Sequence, residues 1–211
     1  MTRRTKLVLL PAAGLVAAAA LLTATVLVGR GGGTSAGTGP GQFRGTELSP
    51  AEGAPPLALR DVSGRRVDLR QFRGKAVLVT FIYSTCPDIC PITVDKIRSA
   101  QVRLGARARD LQVVAVSVDP AGDTPANVRR FVRGHGMNGH MLYLRGTRPQ
   151  LEAVWKAWGV AVQVDPESPR LVAHSGTVFG VDAAGRRRVL YAQTFTPSDI
   201  THDVPALARA N

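Results

Sequence analysis

Residues 76–91 read AVLVTFIYSTCPDICP, and this stretch decides how the rest of the chain is interpreted. Its first part, residues 76–83, is a nearly continuous apolar run rich in β-branched and aromatic residues, which predicts a strand buried on both faces. In residues 91–104, Val94 and Ile97 fall on one helical face, and a proline is favoured at the first helical position. The sequence therefore predicts a buried strand, a turn and a helix.

Cys86 and Cys90 are the only cysteines in 211 residues, and both fall in this turn. Because Pro91 disfavours the α conformation for the residue before it, we expect Cys90 to precede the helix rather than belong to it. Unpaired N–H groups at the helix start then face the sulfurs and favour thiolate over thiol. Two cysteines cannot form a disulfide scaffold in a chain of this length, so we predict one pair with a chemical role.

Paired thiols at a helix start have three common uses: disulfide exchange, binding of a soft metal ion, or a structural bridge. A bridge that encloses so few residues constrains the chain little. A thioredoxin-type redox pair is normally spaced C-x-x-C, so the spacing C-x-x-x-C weakens that interpretation without excluding it. A metal ion needs a third donor, and thiolates with an imidazole suit copper, particularly the cuprous ion.

The chain has four histidines that could supply this donor. His135 and His140 lie on either side of a Gly-Met-Asn-Gly loop and His202 lies in a predicted terminal helix, so we interpret all three as surface residues. His174 lies just before a predicted strand, and a loop that enters a neighbouring strand can approach the turn after the central strand. Spacing alone does not bring His174 to the cysteines, and a structural histidine is the alternative.

The formal net charge of +12 indicates a basic surface. Its arginines are scattered, without the interleaved aromatic residues typical of proteins that bind single-stranded nucleic acid, so we expect no nucleic-acid partner. A basic surface of this kind suits anionic lipid headgroups or an acidic protein partner.

The amino-terminal part divides into three predicted segments. Residues 1–6 are basic, and residues 7–28 carry no charge over a length that can span a hydrocarbon core of ~30 Å, which predicts a transmembrane anchor. A cleaved signal peptide is the alternative, although its apolar region is usually shorter. The basic end is expected in the cytoplasm, with the rest of the chain across the membrane. Residues 29–56 are rich in Gly and Pro and predict a flexible linker.

Residues 57–211 are predicted to form one domain, in which strands alternate with helices and hairpins flank them, as in a three-layer α/β fold. The remaining predicted elements are a hairpin over residues 57–69, a strand over 111–118, a helix over 125–135 capped by Thr124, a strand over 141–144, a helix over 149–158, a loop around Pro166 and Pro169, a hairpin over 176–192 and a closing helix over 197–210.

Residues 80–91 (TFIYSTCPDICP), 117–120 (SVDP), 123–125 (DTP) and the later His174-Ser175 together resemble the SCO/SenC family. The resemblance covers roughly residue 57 to the carboxyl terminus. It implies a thioredoxin-like fold with a central mixed sheet flanked by helices. It also implies one copper ion per chain, cuprous and also cupric, bound by Cys86, Cys90 and His174.

The function that the resemblance implies is that of a membrane-tethered copper metallochaperone, with its carboxyl-terminal domain on the extracytoplasmic side of the cell membrane. It would deliver copper to, or mature, the dinuclear copper centre of a respiratory cytochrome c oxidase. The implied partners are the copper-accepting oxidase subunit or another copper chaperone. The alternative is a thiol-disulfide reductase that uses Cys86 and Cys90, so enzymatic activity is left open. A thiol peroxidase is a more distant alternative, because the sequence offers no case for an arginine beside the cysteines.

The sequence departs from the family pattern at Ala173, where an aspartate often precedes the histidine. An aspartate at this position helps to orient a metal-bound imidazole. With Ala173 in its place, His174 lacks this orienting group, but no metal ligand is removed. We interpret Asp119, Asp123 and Thr124 as residues that close a turn and cap the next helix. Asp88, between the cysteines, either tunes the thiolates, contacts a partner or is simply solvated.

Overall fold

The computed structural model describes residues 42–164 and 172–210. The strands are β1 (Thr46–Gly53), β2 (Ala58–Asp61), β3 (Arg66–Asp68), β4 (Ala76–Ile82), β5 (Leu111–Ser117), β6 (Leu142–Arg145), β7 (Val162–Val164), β8 (Val172–His174), β9 (Val178–Val181) and β10 (Arg186–Tyr191). The helices are α1 (Ile89–Leu104), α2 (Pro125–Gly134), α3 (Arg148–Trp158) and α4 (Pro197–Arg209), with short 3-10 turns at Leu69–Phe72 and Gly105–Asp110.

Eight strands form one mixed sheet in the order β1-β10-β9-β4-β5-β6-β2-β3. Strands β4, β5 and β6 are parallel, and the other neighbours are antiparallel. Strand β4 lies in the middle, and every residue in it is buried, as the apolar run predicts. Since β4 and β5 are parallel and pair from Ala76–Leu111 to Ile82–Ser117, their carboxyl ends lie side by side at one edge of the sheet. This edge holds the cysteine loop.

The helices cover both faces of the sheet. Phe179 of β9 contacts Trp158 of α3, with ring centroids 5.2 Å apart. The next residue, Gly180, faces Leu207 of α4. Because successive residues of a strand point to opposite faces, α3 and α4 lie on opposite sides of the sheet. The predicted three-layer α/β architecture is confirmed.

The folded domain begins earlier than predicted, because residues 46–53 form β1 and pair with β10. The expectation of a flexible linker up to residue 56 is therefore wrong for this part. Phe43 is buried, and the backbone N–H groups of Arg44 and Gly45 donate to the buried carboxylate of Asp203 on α4. The side chains of β1 are mostly exposed, so the strand leaves little apolar pattern in the sequence. It is held by backbone pairing and by the ion pairs of Glu47 with Arg188 and of Glu52 with Arg187.

Strands β7 and β8 form a separate two-stranded ladder, where the sequence predicts only a loop. Val162 pairs with His174 in this ladder, so the histidine lies at the end of a strand. The predicted loop around Pro166 and Pro169 falls in residues 165–171, outside the described residues. The other predicted helices and strands are confirmed to within about two residues at their ends.

The predicted basic segment 1–6, the anchor or signal peptide 7–28 and the first part of the linker lie outside the described residues. Within residues 42–164 and 172–210, no helix has both the length and the apolar character needed to cross a membrane.

Candidate metal centre

The two cysteines lie where β4 passes into α1. Cys86 is in the connecting loop, whereas Cys90 is in the first turn of α1, which begins at Ile89. The expectation that Pro91 keeps Cys90 out of the helix is therefore wrong. The first four N–H groups of a helix have no partner within it, so a proline in the first turn costs no hydrogen bond.

The sulfur atoms of the cysteines differ in exposure. Both cysteines are free thiols; Cys86 is half-buried and Cys90 is fully buried. The backbone N–H of Cys90 donates to Sγ of Cys86 at 3.4 Å. Sγ of Cys90 lies 3.7 Å from Nε2 of His174. The fold thus brings together a cysteine pair and a histidine that are far apart in the sequence.

A carbonyl group beside His174 favours one tautomer of its imidazole. Its Nδ1 lies 3.2 Å from the carbonyl oxygen of Ser175, which can only accept a hydrogen bond. When Nδ1 carries the proton and donates it to this carbonyl, Nε2 is unprotonated and faces Cys90. This tautomer is the one that a metal ion bound at Nε2 requires.

The pKa values of the two cysteines are shifted in opposite directions. The pKa of Cys86 is lowered to about 5, chiefly by a hydrogen bond from the Cys90 thiol. Burial acts in the opposite direction, and the backbone N–H groups of Asp88 and Cys90 and the Tyr83 hydroxyl lower the pKa further. The hydrogen bond to Cys86 and then burial raise the pKa of Cys90. At neutral pH the pair is therefore an accessible thiolate beside a buried thiol.

Asp123 ties the cysteine loop to the sheet, a role that the sequence does not predict. It is buried; its Oδ1 accepts the Ser84 backbone N–H at 2.6 Å, and its Oδ2 accepts the hydroxyls of Ser117 at 2.5 Å and Tyr143 at 2.9 Å. Burial raises the pKa of Asp123 despite these hydrogen bonds. Only the position of Asp123 in the DTP block could have drawn attention to it.

Asp119 and Thr124 have the predicted structural roles. Oδ1 of Asp119 accepts the N–H groups of Ala121 and Gly122 and closes the turn. The Thr124 hydroxyl accepts the Asn127 N–H and caps α2. Asp88 is exposed and makes no capping hydrogen bond, which leaves it available to solvent.

The other three histidines lie elsewhere on the surface, as predicted. His135 pairs with Asp95 and His202 with Asp203, each at 2.7 Å. His140 is exposed. His174 is thus the histidine that the structure places against a cysteine.

An open pocket of about 390 Å³ gives access to the cluster, lined by Tyr83, Cys86, Pro87, Ile89, Val172 and His174. Among residues 42–164 and 172–210, no arginine lines this pocket. Among the described residues, no three His, Cys, Asp or Glu side chains already surround a single point as metal ligands would. Any metal ion bound at the Cys90 sulfur would displace the proton that Cys90 carries.

The fold and the site together define a thioredoxin-like α/β domain with a dithiol and a histidine at the carboxyl edge of its parallel strands. The SCO1/SenC family model matches residues 46–209. Protein SenC of Rhodobacter capsulatus is 32% identical over 163 residues, which cover 76% of this chain and 73% of SenC. A putative copper-binding protein of Stutzerimonas stutzeri is 31% identical over 145 residues, or 67% of this chain and 70% of that protein. The chain belongs to the SCO1/SenC family.

Solved structures agree with the thioredoxin-like fold that the resemblance implies. The apo Sco1 protein of Thermus thermophilus superposes with a TM-score of 0.69 at 32% identity, covering 78% of this chain and 96% of that one. Bradyrhizobium japonicum ScoI with copper bound superposes with a TM-score of 0.66 at 26% identity, covering 74% of this chain and 99% of that one.

Proposed function

We propose that this chain is a copper metallochaperone that holds one copper ion, its cargo, on Cys86, Cys90 and His174. The main observation is the 3.7 Å contact between Sγ of Cys90 and Nε2 of His174, beside the Cys86 sulfur. Two thiolates and an imidazole are soft donors that suit cuprous copper, and they also bind cupric copper. The copper bound to the Bradyrhizobium japonicum relative supports this choice of metal.

Ligand exchange through the open pocket would release the copper. Cys86 is partly exposed and ionised, so an incoming thiolate or imidazole can displace it first. Cys90 is buried and holds the ion while the exchange begins. Because Cys90 must lose its proton when copper binds, loading releases a proton and is stronger at higher pH.

The recipient that we propose is the copper-accepting subunit of a respiratory cytochrome c oxidase, whose dinuclear centre would be filled or matured. Another copper chaperone is the alternative partner. The motif resemblance supports this proposal. One structural neighbour, BsSco, is described as a member of the Sco family of cytochrome c oxidase assembly proteins.

The proposed location is the extracytoplasmic face of the cell membrane. Residues 7–28 form a single anchor, residues 1–6 remain in the cytoplasm, and the Gly- and Pro-rich stretch that follows tethers the domain near the membrane. The apolar character of residues 7–28 supports this arrangement.

A metal titration tests the copper site. Residues 42–211 are reduced, loaded anaerobically with cuprous copper, and assayed for stoichiometry and affinity in the parent and in Cys86→Ala, Cys90→Ala and His174→Ala. We expect one copper per parent chain and weaker binding in all three variants, with His140→Ala as an unaffected control. Equal uptake by the reduced and oxidised chains, or no tight copper in the reduced parent, would contradict the proposal.

The cysteine pair also supports a second candidate function, that of a thiol-disulfide reductase. Cys86 is an accessible thiolate that can attack a partner disulfide, and the adjacent Cys90 can resolve the mixed disulfide. A reductase predicts that His174→Ala keeps disulfide reduction while copper binding is lost. A marked loss of reduction rate in His174→Ala would count against this second function.

A further inference from the structure

Tyr83 touches both halves of the candidate site. It follows β4 directly, is 3% exposed, and its carbonyl oxygen accepts the Cys86 N–H at 3.3 Å. Its hydroxyl accepts the Val172 N–H at 3.4 Å. Its ring lies edge-on to the His174 imidazole, with centroids 6.0 Å apart and planes at 81°. Tyr83 therefore contacts the strand that carries the histidine through its side chain, and the loop that carries the cysteines through its backbone carbonyl.

Strand β8 needs such a contact, because it is not part of the main sheet. Its ladder partner is β7 alone. A ladder of two short strands is marginal on its own and depends on packing against the rest of the domain. Ala173, the residue before the histidine, has no polar side chain with which to orient the imidazole.

We propose that Tyr83 is the positioning residue of this site, which fixes β8 through its hydroxyl and the imidazole plane of His174 through its ring edge. That Tyr83 orients a copper ligand rests on the function proposed above. Its contacts with Val172 and His174 are observed independently of that function. In this chain Tyr83, the residue after β4, supplies an orienting contact that the side chain of Ala173 does not give.

The ionisation of the tyrosine is consistent with this role. Burial is the main cause that raises the pKa of Tyr83 to about 12, so the hydroxyl keeps its proton at physiological pH. The neutral hydroxyl accepts the Val172 N–H and so holds the histidine strand.

Two substitutions separate the hydroxyl from the ring. Tyr83→Phe removes the hydroxyl and keeps the ring, whereas Tyr83→Leu removes both. Tyr191→Phe is the matched control, because it removes a similarly buried hydroxyl that donates to Asp203 instead. Reduced, copper-free residues 42–211 are examined by amide hydrogen exchange at Val172 and by the pH profile of Cys86 alkylation. Cuprous affinity is then measured by competition with a chelator.

We expect Tyr83→Phe to speed exchange of the Val172 amide about tenfold, because this amide loses its acceptor. We also expect it to raise the midpoint of the Cys86 profile, because the Tyr83 hydroxyl is one of the groups that lower the pKa of Cys86. Both Tyr83 variants should weaken copper binding about tenfold, as expected for loss of a contact that orients a ligand. Tyr191→Phe should change none of these quantities.

Parent values for Tyr83→Phe in both copper-free measurements would overturn the inference. If the parent itself binds no copper, the proposed copper function is contradicted, but the inference about Tyr83 is not. The exchange and alkylation results would still decide the role of Tyr83.

Discussion

Cys86 and Cys90 have the same side chain, but their surroundings give them different chemistry. The Cys86 sulfur accepts hydrogen bonds at the helix start, which lowers the pKa of its thiol to about 5. Cys90 is buried beneath it and its pKa is raised. The pair thus has one accessible, ionised sulfur and one buried sulfur that keeps its proton.

The alkylation of Cys86 should report this difference directly. The thiolate is the reactive form, and the folded-state pKa lies below the ordinary value of ~8.5, so reactivity persists as the pH falls below neutrality. We expect iodoacetamide to modify Cys86 at a nearly constant rate from neutral pH downward, with half the plateau rate near pH 5. Mass spectrometry of the native chain measures the rate, and Cys86→Ala should remove the reaction. A midpoint near the ordinary value would show that the thiolate is not stabilised.

The hydrogen bonds of Asp123 should appear in the stability of the domain. Asp123→Ala leaves the Ser84 N–H and the hydroxyls of Ser117 and Tyr143 without their acceptor, so we expect a loss of about 3 kcal/mol in the free energy of unfolding at pH 7. Urea unfolding measures it, with the turn residue variant Asp119→Ala as a milder control.

The pH dependence of the same variant has a defined sign. Burial raises the folded-state pKa of Asp123, so its stabilising contribution is fully present below the unfolded pKa and declines as the pH rises through the folded pKa. The gap between parent and Asp123→Ala should therefore be largest in acid and should narrow as the pH rises. A gap that widens with rising pH would contradict the raised pKa.

The residues of the candidate site could be named from the sequence, but their contacts with one another could not be predicted from it. The cysteine block is visible because its strand, turn and helix are consecutive. Cys90 is misassigned at the helix boundary because the preference of a residue before proline is only statistical, and the first helical turn tolerates Pro91. The contacts of His174, Asp123 and Tyr83 arise from distant segments, so neither spacing nor periodicity can predict them.

Elements that bury many apolar side chains were predictable, and elements held mainly by backbone pairing were not. Strand β4 and helix α3 bury long apolar faces, which leave a clear pattern in the sequence. Strands β1 and β7 lie where composition indicates a linker and a loop. The first of these errors has a consequence for stability, because the segment before residue 57 contributes Phe43 to the core and donors to Asp203.

A fragment that starts at residue 57 should therefore be less stable than one that starts at residue 42. The shorter fragment loses the burial of Phe43 and two backbone donors to a buried carboxylate, so we expect its free energy of unfolding to fall by about 4 kcal/mol or more. Urea unfolding followed by tryptophan fluorescence compares the two. Phe43→Ala in the longer fragment should lose part of this amount. Equal unfolding midpoints would mean that β1 adds nothing to the domain.

The whole molecule combines a surface-open site with a strongly basic chain. The cysteine loop lies at the carboxyl edge of parallel strands, a common position for binding sites in α/β sheets. Residues 42–211 contain 23 Lys and Arg against 15 Asp and Glu, and their net charge of +8 favours acidic surfaces, both protein and lipid. Such attraction would hold the domain near an anionic membrane even without an anchor, so membrane association alone does not demonstrate the anchor proposed for residues 7–28.

Salt separates the two kinds of membrane binding. We expect the full chain to stay on uncharged phosphatidylcholine vesicles in 1 M salt, because burial of residues 7–28 in hydrocarbon does not depend on charge. Residues 42–211 should bind only vesicles that contain anionic lipid and should be released as salt shortens the screening length to about 3 Å at 1 M. Flotation measures both, and Leu15→Arg, which places a charge in the apolar stretch, should weaken retention of the full chain. Release of the parent full chain by salt would refute the anchor and leave surface charge as the source of membrane binding.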